Sequence, residues 1–339
     1  MIIVLRPEAG AGDAQAFLRQ IESRGLQPLY LPGVERLVLG ALGDERALAG
    51  LNLENHPLVE SVKPILTPYK RVSRELQRHD TQVDIGAVTV GGNGFVVIAG
   101  PCAVETRAQM AATANAVRAA GAQVLRGGAF KPRTSPYSFQ GHGADALALL
   151  AEAADAEGMP AISEIVDAGD LALLERHVQA LQIGARNMQN FRLLQAVGRS
   201  RLPVLLKRGM AATVEELLLA AEYIVNAGNP NVILCERGIR TFETATRNTL
   251  DLNAVALLKR RTHLPVLVDP SHGTGLRELV APLCKAAIGA GADGVIVEVH
   301  CDPSAALSDG AQSLDPQGFA RLMREIEPFV AAAGRELVS

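Results

Sequence analysis

Three things are scarce in this sequence of 339 residues: cysteine, an excess of one charge, and long apolar runs. The few cysteines form no C-x-x-C pair and no disulfide framework, so we expect free thiols in a reducing compartment. The formal net charge is -3 without a basic run, which favours neither a nucleic-acid partner nor a membrane surface. No stretch approaches the roughly 20 apolar residues of a membrane helix, and the start MIIVLRPEAG lacks the features of a signal peptide. These absences predict a folded, cytoplasmic protein.

The composition allows one large core and a small second domain, since 48% of the residues are hydrophobic and mean hydropathy is +0.15. Residues 1–66 are predicted to form strand, helix, two strands, helix and strand, the βαββαβ order of a ferredoxin-like unit. Residues 67–84 are predicted to be a polar linker, with a short helix in its first part. The segment VDIGAVTVGGNGF follows and predicts a hairpin around Gly-Gly-Asn-Gly, suited to plug the bottom of a barrel.

Residues 85–339 alternate short apolar runs with longer Ala/Leu-rich helical stretches. Eight such repeats predict a (β/α)8 TIM barrel, so the fold class is α/β with a small N-terminal ferredoxin-like domain. A doubly wound open sheet is the alternative, but no G-x-G-x-x-G follows the first strand of this region. No nucleophile elbow is present either, which argues against covalent hydrolysis.

Charged or metal-capable side chains follow nearly every predicted strand of the barrel, and such strand ends converge on one face. Many are cations, which repel one another unless anions compensate them, so we expect two phosphorylated or carboxylated ligands. Pairing with nearby glutamates remains the alternative for any single one. The cations are Arg126, Lys131, Arg133, Arg186, Lys207, Arg208 and Arg237.

A second set combines a thiol, an imidazole and two carboxylates at strands that adjoin where a barrel closes. Such donors suit a borderline divalent ion such as Mn, Fe, Co or Zn. The set is Cys102, His272, Glu298 and Asp309. Each member alone has a structural alternative, a buried thiol or a turn-capping histidine. Cys301 ranks below Cys102, because Glu298 and His300 precede it in the same element.

Long motifs carry a resemblance over residues 85 to about 330: GPCAVE, LRGGAFKPRTSPYSFQG, QIGARNMQN, LLKRGM, CERGIRTFE, DPSHGTG, EVHCDP and SDGAQSL. Together they resemble the 3-deoxy-D-arabino-heptulosonate 7-phosphate (DAHP) synthases, and residues 1–66 resemble the ferredoxin-like regulatory domain of one subclass. The resemblance implies condensation of phosphoenolpyruvate with erythrose 4-phosphate, the first step of the shikimate pathway to chorismate and the aromatic amino acids. It further implies feedback inhibition by tyrosine or phenylalanine at the N-terminal domain, and a homotetramer.

The resemblance also assigns residues. The residues that it implies for binding phosphoenolpyruvate are Arg126, Lys131, Arg186, Lys207 and Arg237. The loop that it implies for contact with erythrose 4-phosphate consists of Lys131, Pro132, Arg133, Thr134 and Ser135. It makes Cys102, His272, Glu298 and Asp309 the ligands of the divalent metal, with Mn favoured. Proton transfer is left open among Lys131, His272 and Glu164.

Two alternatives stay open at this point. One is 3-deoxy-D-manno-octulosonate 8-phosphate synthase, which resembles the barrel but leaves the KPRTSPYSF loop and residues 1–66 unexplained. The other is a non-catalytic sensor of aromatic amino acids, which the retained ligand set makes less favoured. Departures from the usual motifs are Ala103, Ser163 and Cys301, and none is a proposed ligand.

Overall fold

The computed structural model of the chain describes residues 1–32, 36–132 and 135–338. It divides the chain into two compact units, Met1–His79 and Asp80–Ser339. The division falls within the predicted linker, residues 67–84. Within the described residues, no helix has the length and apolar character needed to span a bilayer.

The first unit is a four-stranded antiparallel sheet with one α-helix. Its strands are β1 Ile2–Leu5, β2 Gln27–Pro32, β3 Leu37–Leu42 and β4 Val59–Lys63. Their order in the sheet is β2-β3-β1-β4, as a ferredoxin-like unit requires. Residues Ala14, Phe17 and Ile21 of the helix are buried because their spacing puts them on one face. This helix is α1, Ala11–Ser23.

Two helix predictions in this region are corrected. The predicted second helix consists of two 3-10 segments, Glu45–Leu51 and Leu53–Asn55, separated at Asn52, whose φ of 45° is left-handed. A left-handed residue cannot continue an α-helix. The predicted helix in residues 67–82 is a series of turns, of which Tyr69 and Val72 are buried.

The second unit begins with an antiparallel hairpin, β5 Val83–Ile85 and β6 Val88–Val90. Its turn is Gly86-Ala87, where Gly86 has a φ of +59°, and not the predicted Gly-Gly-Asn-Gly, which instead connects the hairpin to the barrel. The four valine and isoleucine side chains of the hairpin belong to one buried apolar cluster with side chains from all eight barrel strands. The hairpin is therefore part of the apolar core of the barrel.

The barrel is closed by parallel pairing of its last strand with its first, from Gly294↔Val96 to Glu298↔Gly100. Its eight strands in the described chain are β7 Gly94–Gly100, β8 Val124–Arg126, β9 Ala161–Ile165, β10 Ala180–Ile183, β11 Val204–Lys207, β12 Val232–Glu236, β13 Val266–Val268 and β14 Gly294–Glu298. Most of their residues are buried, as expected for a parallel sheet covered on both faces. A short final strand, Glu336–Leu337, pairs in parallel with the start of β7.

Helices cover the outside of the barrel. Most have an N-cap residue whose side chain accepts a hydrogen bond from a backbone N–H of the first turn. Examples are Thr106, Thr213 and Asp315. They are α2 Arg107–Ala119, α3 Ala144–Ala156, α4 Leu171–Leu174, α5 Phe191–Val197, α6 Val214–Asn226, α7 Leu252–Arg261, α8 Pro270–Thr274, α9 Val280–Gly289 and α10 Pro316–Ala332.

Candidate active site

A cavity lies at the carboxyl ends of the barrel strands, where the sequence predicts the functional side chains to converge. It is open to solvent and, with the solvent at its mouth, holds about 640 Å³ of empty space. Its described lining residues are Arg126, Lys131, Pro132, Glu164, Gln182, Gly184, Ala185, Arg186, Lys207, Met210, Arg237, Arg247, His272 and Asp309.

The strand ends fix several of these side chains directly. Arg126 is the last residue of β8 and Lys207 the last of β11, and each is 4% exposed. Glu164 lies in β9, where Gln182 Nε2 donates to its Oε2 at 3.3 Å. Gly184 follows β10, and any side chain there would collide with the Glu164 carboxylate. Burial at a rigid strand end holds these groups in one orientation, which suits a preorganised site.

The loop after β8 also reaches the cavity. Lys131 Nζ donates to the backbone oxygen of Cys102 at 2.8 Å. Gly128 allows this approach, since a Cβ there would lie 2.6 Å from Cys102 O and 2.9 Å from Lys131 Nζ. Lys131 is thereby held against the loop that carries the candidate thiol ligand.

Positive charge predominates in this cavity. Arg126 Nη1 pairs with Glu298 Oε1 at 2.9 Å, and Lys207 Nζ pairs with Asp269 Oδ2 at 2.5 Å. Arg186 and Arg237 form no ion pair with another side chain in the described ranges. Burial lowers the pKa of Arg237, which reflects the cost of keeping this cation away from water. An anionic ligand would offset that cost.

Three of the four predicted metal ligands come together. One ligand atom each of Cys102, Glu298 and Asp309 lies within 4.8 Å of the others. Cys102 Sγ lies 3.1 Å from Asp309 Oδ2. Asp309 has a φ of 54°, an unusual conformation for a residue other than glycine and one that clusters at functional sites.

His272 lies next to this group although it is not one of the three. Its Nε2 is 3.4 Å from Glu298 Oε1, and its Nδ1 is 2.8 Å from Asp269 Oδ2. Asp269 caps α8 by accepting from the backbone N–H of His272 at 2.9 Å. A carboxylate on Nδ1 assigns the proton to that nitrogen and leaves the Nε2 lone pair directed at the ligand group.

The protonation of these groups reflects their burial and their neighbours. Burial, reinforced by the charge of Glu298, raises the pKa of the Cys102 thiol to about 12. Burial also lowers the pKa of His272, against the attraction of Asp269. For Asp309, burial opposes ionisation, but His272 and Arg247 outweigh it and hold its pKa well below the usual value. In the absence of a metal ion the Cys102 thiol is therefore protonated at neutral pH, and a bound metal ion would be needed to ionise it.

Not every predicted residue lines the cavity. Arg208 is buried and turned away: its Nη1 donates to Glu236 Oε2 at 2.9 Å and to Asp251 Oδ2 at 3.0 Å. Ser135 lies in an exposed turn, where its Oγ accepts from the Tyr137 N–H at 3.3 Å. Arg133 and Thr134 lie outside the described residues.

Three residues of the site were missed. Arg247 comes from the loop after β12 and lines the cavity; the wealth of arginine in CERGIRTFETATRN was the available signal. Asp269 could have been found as an acid three residues before His272 at a strand end. Gln312, which donates to Glu298 Oε2 at 2.6 Å, has no sequence signal beyond its motif.

Fold and site together define a TIM-barrel enzyme whose cavity suits phosphorylated anions beside a candidate metal centre. Residues 76–331 match the DAHP synthetase I family, and residues 1–67 match the DAHP synthase ferredoxin-like domain. The chain therefore belongs to the DAHP synthetase I family.

Relatives agree with this assignment. The chain is 51% identical over 334 residues to a phospho-2-dehydro-3-deoxyheptonate aldolase of Thermotoga maritima, covering 98% of this chain and 99% of the relative. It matches a crystal structure of the DAHP synthase from T. maritima with a TM-score of 0.79 and 50% identity, over 99% of both chains. A truncated form of a T. maritima DAHP synthase matches 79% of this chain and 98% of its own length with a TM-score of 0.74 and 50% identity.

The predicted fold and DAHP synthase activity are thus confirmed. The alternative barrel enzyme is represented by a more distant relative, the 2-dehydro-3-deoxyphosphooctonate aldolase of Rhodopseudomonas palustris. It is 34% identical over 259 residues, which cover 70% of this chain and 89% of the relative.

Proposed function

We propose that the barrel cavity binds phosphoenolpyruvate through Arg126, Lys131, Arg186, Lys207 and Arg237. The observation that carries this proposal is the excess of cations around the cavity, with Arg186 and Arg237 lacking an ion-pair partner among the described residues. Phosphate and carboxylate of one small ligand would neutralise several of these cations. The loop Lys131, Pro132, Arg133, Thr134 and Ser135 is proposed to contact erythrose 4-phosphate, because Lys131 and Pro132 line the same cavity.

The reaction joins the two substrates by one new carbon–carbon bond. C3 of phosphoenolpyruvate attacks the aldehyde carbon of erythrose 4-phosphate, and the aldehyde oxygen gains a proton. Water adds to C2, and the resulting hemiketal loses inorganic phosphate by cleavage of the bond between C2 and oxygen. The cations hold both phosphates so that the reacting carbons meet in line.

Three residues are candidates for the proton transfers. Lys131 is a cation held at the cavity by its bond to Cys102 O, so it can donate toward a developing alkoxide. Glu164 lines the cavity as a carboxylate held by Gln182, so it can accept a proton from the attacking water. His272 Nδ1 is engaged by Asp269, so only its Nε2 faces the site. Geometry favours Lys131 as donor and Glu164 as acceptor.

The donor set also fits a divalent metal. A buried thiol, two carboxylates and an oriented imidazole Nε2 suit Mn, Fe, Co or Zn, with Cys102, His272, Glu298 and Asp309 as ligands. When bound, such an ion would polarise the aldehyde carbonyl as a Lewis acid. Manganese is favoured because two of the four donors are carboxylates.

The test is phosphate release from phosphoenolpyruvate by chelator-treated protein, before and after Mn²⁺ is added. We expect turnover with erythrose 4-phosphate to require the ion. Turnover with arabinose 5-phosphate instead would reassign the co-substrate, and full activity after chelation would reject the metal site.

The residue assignment is tested with matched arginines of one loop. Arg237→Met should lower kcat/KM for phosphoenolpyruvate about 10- to 100-fold, because charged hydrogen bonds of about 1.5–3 kcal/mol are lost. Arg240→Met is the control, since Arg240 is exposed and outside the described cavity lining. Equal effects of the two substitutions would reject the assignment.

We further propose that the first unit binds tyrosine or phenylalanine as a feedback inhibitor. It carries an open cavity lined by apolar side chains, including Ile2, Val4 and Val38, and by charged ones, including Arg36 and Glu60. Such a surface suits an amino acid that has an apolar side chain and carries both an ammonium and a carboxylate group. A chain beginning at Asp80 should be active and uninhibited, and inhibition that survives this truncation would reject the proposal.

The homotetramer implied by the family resemblance is likewise proposed. Light scattering of the intact chain measures its mass directly against that of a 35.8 kDa monomer.

A further inference from the structure

Gln312 is a buried glutamine, 3% exposed, held between a carboxylate and a guanidinium. Its Nε2 donates to Glu298 Oε2 at 2.6 Å, and its Oε1 accepts from Arg247 Nη1 at 2.8 Å. It ends the 3-10 segment Gly310–Gln312, directly after Asp309. One side chain thus joins the end of β14 to the loop that follows β12.

The amide is chemically matched to these two neighbours. A carboxylate accepts only and a guanidinium donates only, so the side chain between them must donate at one end and accept at the other. The neighbours therefore decide which end of the amide carries nitrogen. Glutamate in its place would oppose Glu298, and an apolar side chain would leave the buried Glu298 carboxylate and the Arg247 guanidinium without this partner.

The bond to Glu298 fixes how that carboxylate is rotated. With Oε2 engaged by Gln312, Oε1 is left to face Arg126 Nη1 at 2.9 Å and His272 Nε2 at 3.4 Å. Oε1 is thus the oxygen on the side of the candidate ligand histidine. Without the amide, the plane of the carboxylate would be less restricted in its rotation about the terminal bond.

The bond to Arg247 acts at the mouth of the cavity. The same Nη1 that reaches Gln312 also donates to Asp309 Oδ1 at 3.2 Å. The Arg247 side chain is 37% exposed, so a long and mobile side chain is held in one place by a buried anchor. Its guanidinium can therefore meet an incoming anion without first being ordered.

We propose that Gln312 is a positioning residue that sets the rotation of Glu298 and anchors Arg247, so that cation and anion binding at this cavity share one support. The inference rests on the proposed metal and phosphoenolpyruvate sites. Outer partners of this kind commonly change metal affinity about 10- to 100-fold.

The test uses Gln312→Met, which keeps the length of the side chain and removes both polar ends. Gln312→Asn serves as a second variant, because it stays polar but is too short to reach both neighbours. The matched control is Gln123→Met: Gln123 is also buried, accepts from the Val97 N–H at 2.7 Å, and donates to Val338 O at 2.6 Å, away from the cavity lining.

Two titrations of metal-free protein are measured. Co²⁺ binding is followed by the ultraviolet absorption of a cobalt–thiolate bond, with Cys102→Ala as the blank. Phosphoenolpyruvate binding is followed by calorimetry, since the chain has no tryptophan to report it by fluorescence. We expect both Gln312 variants to bind Co²⁺ about 10- to 100-fold more weakly and phosphoenolpyruvate several-fold more weakly, with the control unchanged in both.

The outcomes separate the inference from the proposal beneath it. Wild-type affinities in both Gln312 variants would overturn the positioning role, and so would equal losses in the Gln123 control, which would indicate general loosening. If the wild type shows no cobalt–thiolate band, the proposed metal site fails. Calorimetry then decides the inference alone, and an unchanged phosphoenolpyruvate affinity in Gln312→Met overturns it.

Discussion

Asp269 offers the most direct test of how the buried charges of the barrel are held. Its side chain is fully buried. One oxygen, Oδ2, accepts from Lys207 Nζ at 2.5 Å and from His272 Nδ1 at 2.8 Å, and the other accepts from the backbone of His272 at 2.9 Å. Burial disfavours the charge, yet His272 and Lys207 prevail and keep the pKa of Asp269 well below its usual value. Asp269→Asn keeps the shape and removes the charge.

The magnitude follows from the bonds that asparagine can keep. Its carbonyl oxygen can still cap α8, but its NH₂ group then faces two donors, Lys207 and His272. Breaking a buried pair in this way costs about 3–5 kcal/mol of folding free energy. Because Lys207 is also released from its position, the Kd for phosphoenolpyruvate should rise about 10- to 100-fold, the worth of one charged hydrogen bond of about 1.5–3 kcal/mol.

The assay combines urea unfolding with calorimetric titration of phosphoenolpyruvate, both on metal-free protein. Glu325→Gln is the control, because its ion pair with Lys285 is partly exposed, at 39% and 27%, and should contribute no more than about 1 kcal/mol. An Asp269→Asn protein with wild-type stability and affinity would refute the reasoning. Lower stability with unchanged affinity would remove Lys207 from the phosphoenolpyruvate site.

Three further outcomes are expected. Ile85→Ala opens a cavity in the hairpin plug, where Ile85 is fully buried, and should cost about 2–5 kcal/mol in urea unfolding; a loss below about 1 kcal/mol would mean that the plug is not packed as described. Because the folded-state pKa of Asp309 is depressed, the unfolded chain binds more protons, so metal-free protein should lose stability as pH falls below about 5. Asp309→Asn should flatten this melting profile, and an unchanged pH dependence would contradict it. With a pKa of about 12, buried Cys102 should resist iodoacetamide at pH 8 while partly exposed Cys301 reacts, and mass spectrometry showing rapid modification of Cys102 would contradict this.

The site was predictable from sequence where one strand end suffices to position a side chain. Arg126, Lys207 and Glu298 are the last residues of parallel strands, so the barrel geometry alone brings them to one face. The short apolar runs that predict the strands therefore also predict where these charges meet.

Sequence reasoning failed where a partner distant in the chain decides the outcome. Arg208 follows Lys207 directly, yet it turns to Glu236 and Asp251 instead of the cavity. Arg247 enters the cavity from a long loop whose path no local pattern encodes. The prediction of a second helix in the first unit was wrong for a local reason, the left-handed conformation of Asn52. Strong helix formers on both sides of Asn52 favoured the helix prediction.

The hairpin of residues 83–90 has a consequence for how the chain is made. Its apolar side chains belong to one core cluster with residues of every barrel strand, from Val96 to Ile296. At a synthesis rate of about 5–20 residues per second, the last of these partners emerges roughly 10 to 40 seconds after the hairpin itself. The hairpin is thus synthesised before the strands that cover it, and it cannot be fully buried until the eighth strand has emerged. Closure should be a late and cooperative event, slowed by contacts between residues far apart in the chain, and a chain halted before β14 would expose this apolar hairpin to chaperones.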